Sequence, residues 1–147
     1  MIRISSLYSD LTTSMAALRF DHAAVDRSRE VVSHALEDGK AHYGINTGFG
    51  VLANKRIEDE QLAELQQNIL LSHACGVGDP VPPEITRLML QLKIHALGLG
   101  QSGISRSTFR QLLRFEEMGL IPWVPSRGSV GASGDLAPLA HLCLPLI

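Results

Sequence analysis

Residues 59–76 read Asp-Glu-Gln-Leu-Ala-Glu-Leu-Gln-Gln-Asn-Ile-Leu-Leu-Ser-His-Ala-Cys-Gly, and the spacing within them decides the fold class. Leu62, Leu65, Ile69, Ser72 and His73 recur at three- and four-residue steps. That is the repeat of one face of an α-helix, whereas a half-buried strand repeats every second residue. The helix is predicted to start near Asp59 and to end before Gly76, which puts His73 at the C-terminal end of an apolar stripe.

The same period extends outward on both sides. Between Asp26 and Glu37, Val31, Val32, Ala35 and Leu36 fall near one face, and Gly39 follows as a stop. Pro82-Pro83-Glu84 opens another helix, predicted to turn Ile85, Leu88, Leu92 and Ile94 or His95 toward a core until Gly98. A further helix is expected from about Ser107 to Met118, with Phe109, Leu112, Leu113 and Phe115 apolar, before Gly119 and the extended Ile121-Pro122-Trp123-Val124-Pro125. Between the first two helices, Tyr43-Gly44-Ile45-Asn46-Thr47-Gly48-Phe49-Gly50 is too glycine-rich for a regular element and reads as a loop. The fold class is therefore mainly α, with no repeat, low-complexity tract or linker to divide residues 1–147.

Composition narrows the function by exclusion. Thirteen Lys and Arg against fifteen Asp and Glu give a formal charge of -2, leaving no basic excess for phosphates or anionic lipid. Neither nucleic acid nor a membrane is an expected partner. The two cysteines, Cys75 and Cys143, lie far apart in apolar surroundings and read as reduced, buried thiols rather than a disulfide framework. With neither a secretory leader at Met1–Leu7 nor a run of about 18 apolar residues, a cytoplasmic location is expected. From Leu136 to Ile147 the chain is almost wholly apolar and stops without a polar tail, so truncation is expected. Leu136, Leu139, Leu142, Leu144, Leu146 and Ile147 are then expected to lack partners.

Two motifs tempt and fail. Gly98-Leu99-Gly100-Gln101-Ser102-Gly103 has dinucleotide-binding spacing, but a helical pattern precedes it where that motif needs a strand. Gly131-Ala132-Ser133-Gly134-Asp135 resembles a hydrolase nucleophile elbow, but Asp135 stands where the final glycine belongs, and Pro125–Ser129 does not read as the required strand. A serine hydrolase pairing Ser133 with His141 is a weak alternative. The six histidines show no metal-like spacing, so no metal site is expected.

Gly128-Ser129-Val130-Gly131-Ala132-Ser133-Gly134-Asp135-Leu136-Ala137-Pro138-Leu139 resembles the signature of the histidine and phenylalanine ammonia-lyase family. The resemblance implies that Ala132, Ser133 and Gly134 cyclise autocatalytically into 4-methylideneimidazole-5-one, with no external cofactor. Ring closure brings the Gly134 nitrogen onto the Ala132 carbonyl carbon, which a residue without Cβ eases, and Ser133 loses its hydroxyl. Taken alone, Ala-Ser-Gly would read as a small-residue loop feeding a helix.

Two companions in the right order reverse that reading. The Tyr43–Gly50 loop looks like the family's segment carrying a catalytic tyrosine, whose pKa would have to be drawn down from about 10 for it to act as base. Leu70-Leu71-Ser72-His73-Ala74-Cys75-Gly76 resembles the family's substrate-selecting position. Ser72-His73 there implies L-histidine, since an imidazole can hydrogen-bond the substrate ring and would be wasted on a phenyl group. The implied activity is elimination of ammonia from L-histidine to give trans-urocanate, with Tyr43 as base and His73 and Ser72 binding substrate. By the same resemblance the chain is the N-terminal, electrophile-bearing part of a lyase domain, cut before a long helical bundle. The complete enzyme would be a homotetramer and this piece alone inactive. The alternatives are a phenylalanine or tyrosine ammonia-lyase or an aminomutase, and an inactive fragment that serves only subunit association.

Overall fold

The computed structural model describes residues 2–131 and 134–147. Six α-helices and one two-stranded sheet appear among them, so the fold is mainly α: α1 (Leu7–Leu18), α2 (Ala23–Glu37), α3 (Leu62–His73), β1 (Val77–Pro80), α4 (Pro83–Gly98), α5 (Arg106–Glu117), β2 (Pro125–Arg127) and α6 (Leu136–Cys143). They form two compact units that are each discontinuous in sequence: Met1–Glu30 with Val81–Ile121 and Leu146, and Val31–Pro80 with Pro122–Pro145 and Ile147. None of the helices among the described residues is long and apolar enough to cross a membrane.

In the first unit α4 packs against both α1 and α5. Ser105 caps α5, its hydroxyl accepting from the Thr108 amide at 3.1 Å. The face this start presents buries Phe109, Leu112, Leu113 and Phe115, as the periodicity predicts. Each such side chain contributes roughly 1.5–3 kcal/mol on leaving water. Glu116 is buried on the same helix but satisfied: Arg19 and Gln91 each donate to its carboxylate at 3.0 Å.

For α4 the expected face is only partly right. Thr86, Leu90 and Ile94 are the buried row, while Ile85 and Leu92 face solvent. Apolar residues occupy two nearly opposite arcs of this helix, so periodicity alone cannot choose between them. Helix α1, which the sequence reading passed over, supplies Leu11 and Met15 to the core.

The glycines after α4 have a packing role. A Cβ on Gly100 would lie 2.3 Å from the Ala24 carbonyl oxygen, and its φ of +71° is left-handed. The dinucleotide-like spacing is thus a helix stop pressed against the start of α2.

In the second unit α3 packs against α6, and β1 pairs antiparallel with β2 through Val77–Arg127 and Pro80–Pro125. Pro125–Arg127 is therefore a short strand, contrary to the sequence reading. Gly and Pro deplete both strands of β propensity, and pairing across nearly fifty residues supplies what local preference does not. Val124, Ala137, Ala140 and Leu142 are buried, so Leu142 does not lack cover, whereas Leu136 and Ile147 remain about half exposed. Cys143 is partly buried, but Cys75 is exposed rather than buried.

Candidate active site

Of the six sequence-predicted site residues, Tyr43, Ser72, His73 and Gly134 lie in the second unit's described segments. Ala132 and Ser133, the other two, lie outside the described residues. What can be built is the frame around the tripeptide, the imidazole of His73 and the loop of Tyr43.

The backbone is left-handed at Gly131, Gly134 and Asp135. Gly131 and Gly134 have φ of +75° and +81°, and Asp135 at φ +37° is the only positive-φ residue other than glycine among the described residues. No atom lies within 4 Å of where a Gly134 Cβ would stand, so glycine is required there by the backbone and not by crowding. The Ser129 hydroxyl donates to the Asp135 carboxylate across the tripeptide and ties the loop's two ends together.

This loop is fastened to the end of α3. A Cβ on Gly128 would come within 2.9 Å of the Gly76 Cα, so the two backbones touch. The Gly76 amide donates to His141 Nε2 on α6 at 3.0 Å. An Nε2 that accepts from an amide carries no proton and is already engaged, which removes His141 as a base for a Ser133 hydrolase. Sequence reasoning weighed His141 only as that base. Its structural role depends on a partner 65 residues away, which no local signal reveals.

His73 closes α3. Its Nδ1 lies 2.8 Å from the Ile69 carbonyl oxygen, one helical turn back. A carbonyl can only accept, so Nδ1 carries the hydrogen and Nε2 of the neutral ring is left as an acceptor. Ser72 is exposed; its hydroxyl donates to the same carbonyl at 3.1 Å and sits 3.1 Å from His73 Nδ1. The side chains of Ser72 and His73 thus both turn back onto one carbonyl in the last turn of the helix.

Tyr43 projects from the loop after α2 with 66% of its surface exposed, its ring edge-on to Phe49 at 5.6 Å between centroids. Beneath it Asn46, Thr47 and Gly48 are buried, and Thr47 pairs with Arg56 in an isolated bridge. Just upstream, the Lys40 amide and then the His42 ring hydrogen-bond Asp38 and hold its carboxyl below the usual carboxylate range. Among the described residues no group of three His, Cys, Asp or Glu side chains is placed to hold a metal ion.

The sequence pattern of the family described as aromatic amino acid lyase matches residues 10–147. A histidine ammonia-lyase from Anaeromyxobacter dehalogenans is 57% identical over 123 residues, covering 84% of this chain and 24% of that protein. The solved histidine ammonia-lyase of Trypanosoma cruzi superposes with a TM-score of 0.76 at 35% identity, covering 91% of this chain and 27% of that one. Ergothionase from Treponema denticola, an ergothioneine-degrading enzyme, superposes at 0.81 with 31% identity, covering 86% and 25%. The chain therefore spans about a quarter of the length of these relatives.

Proposed function

Because the chain belongs to the aromatic amino acid lyase family, we propose that it carries the electrophile-forming, base and substrate-ring segments of an enzyme eliminating ammonia from L-histidine to give trans-urocanate. The observation that carries the choice of substrate is the 2.8 Å approach of His73 Nδ1 to the Ile69 carbonyl, an oxygen that can only accept. With Nδ1–H committed to Ile69, Nε2 favours a ligand that presents a hydrogen-bond donor. An imidazole N–H is such a donor and a phenyl ring is not; a phenol could also donate, so tyrosine belongs in the substrate comparison. Ser72 buttresses this arrangement through the same carbonyl.

Ala132, Ser133 and Gly134 would hold 4-methylideneimidazole-5-one, made from the chain itself, which supplies an electrophile that turns the substrate's amine into a better leaving group. The left-handed backbone and open surroundings of Gly134 fit its part in that ring. Tyr43 takes the β-proton. The working enzyme is proposed to be a cytoplasmic homotetramer, with its remaining length supplying further groups for the substrate, and this chain alone is expected to be inactive.

The test uses an exchange enzyme, the A. dehalogenans relative with its matching segment replaced by this chain. Ser133→Ala should abolish ammonia release, because alanine has no hydroxyl to lose. Tyr43→Phe should slow turnover while keeping the mass deficit of about 36 Da that ring closure leaves by expelling two waters. Near-normal turnover by Ser133→Ala refutes the electrophile, and equal efficiency with phenylalanine and histidine refutes the substrate.

A further inference from the structure

We propose that Asn46 is a positioning residue for Tyr43, its buried carboxamide setting the backbone that presents the phenol; this rests on the reading of Tyr43 as base. Asn46 is fully buried beneath a loop whose tip is exposed. Its Oδ1 accepts from the His42 amide at 2.7 Å, and its Nδ2 donates to the Lys40 carbonyl at 2.9 Å. Its own amide donates to the His42 carbonyl at 3.2 Å, and its carbonyl accepts from the Ile57 amide at 2.8 Å. One residue thus ties together positions 40, 42 and 57, and the first two lead directly into Tyr43.

The Tyr43 ring has little to hold it. It is two-thirds exposed and meets the half-exposed Phe49 edge-on. Its place is therefore set by its own backbone. Asp38 holds the Lys40 amide at 2.8 Å and the His42 ring at 2.9 Å, while the Gly44 amide reaches Thr47 Oγ1 only at 3.4 Å, so the short side-chain anchor on the main chain of His42, next to Tyr43, is that of Asn46.

The residue type follows from the partners. An N–H on one side and a C=O on the other need an acceptor and a donor on one planar group, which a carboxamide supplies. Aspartate would set an oxygen against the Lys40 carbonyl and bury a charge; alanine would leave both main-chain groups unmet.

The test is a double-mutant cycle on ammonia release in the exchange enzyme, with amide hydrogen exchange on the 147-residue chain beside it. Asn46→Ala should lower kcat by about a hundredfold with KM little changed, the cost of displacing a reacting group by about 1 Å. In the Tyr43→Phe background the same substitution should cost no more than about twofold, because the group it positions is gone. Exchange at the His42 and Ile57 amides should rise while α3 and α6 stay protected. If Asn46→Ala does not fold, Asn46→Asp is read instead; it keeps the acceptor for His42, loses the donor to Lys40, and should show the same background dependence.

An equal fold-loss in both backgrounds overturns the proposal, since Asn46 would then act on something other than Tyr43. Unchanged exchange at His42 and Ile57 overturns it as well. A full-rate Tyr43→Phe enzyme would instead remove the base reading, and the positioning role with it, even where the exchange data show a working anchor.

Discussion

His73→Leu is the substitution that most directly tests how substrate is chosen. Leucine keeps an apolar body of similar volume at the end of α3 and deletes both ring nitrogens, so packing is conserved while hydrogen bonding is lost. The Nδ1 bond to Ile69, 2.8 Å long, closes on a helix-end carbonyl that also accepts from Ser72, so its loss leaves no orphan acceptor. The cost then falls on the ligand, whose imidazole N–H loses its acceptor. An unmet donor costs about 1–3 kcal/mol, and at 1.36 kcal/mol per tenfold this is about a 5- to 160-fold fall in kcat/KM for L-histidine. His73 is only partly buried in this chain, so the upper end of the range requires that the rest of the enzyme exclude water from the site. The assay is ammonia release by wild-type and His73→Leu exchange enzymes with histidine, tyrosine and phenylalanine. Efficiency with phenylalanine should hold or rise. An equal loss on histidine and phenylalanine would show that His73 acts through structure or chemistry common to both, and the tautomer argument would fail.

His141→Leu should destabilise the second unit by about 1–3 kcal/mol, because it strips the Gly76 amide of its acceptor; urea unfolding of the chain with exchange at that amide measures it. Gly100→Ala should cost the first unit about 2–6 kcal/mol, combining a left-handed φ with a Cβ 2.3 Å from the Ala24 carbonyl oxygen, and a wild-type denaturation midpoint would contradict the packing described. Acid should weaken the chain through Asp26, whose carboxyl is held below the usual range by its hydrogen bond and ion pair with Arg106. A lowered native pKa contributes stability above the unfolded value of about 3.9 and loses it as pH falls through the native one. The acid limb of a stability–pH profile should therefore be shallower in Asp26→Asn.

What could be read directly from residue order was whatever local chemistry controls. The helical class, the apolar face of α5 with its Gly119 stop, and the irregular Tyr43–Gly50 loop all follow from spacing and glycine content within a few residues. So does rejection of the dinucleotide motif, because α4 does lead into Gly98. The segments that place the chain among the aromatic amino acid lyases are contiguous, and their match needs no fold.

Tertiary structure decided what depends on partners distant in sequence. It chose Thr86, Leu90 and Ile94 as the inner row of α4, because a helix with apolar residues on more than one face takes its orientation from the α1 and α5 surfaces packed against it. It recruited α1, whose mixed polar sequence signals little until Leu11 and Met15 find a core. Val77–Pro80 and Pro125–Arg127 became strands only through each other. His141 was drawn to the Gly76 amide and away from Ser133 chemistry, and Asn46 was buried beneath the loop it organises. The physical reason is common to all of these. A hydrogen-bond donor, an apolar face or a strand edge carries only a demand in the sequence, and which group meets that demand is settled when the chain brings remote segments within about 3 Å of one another.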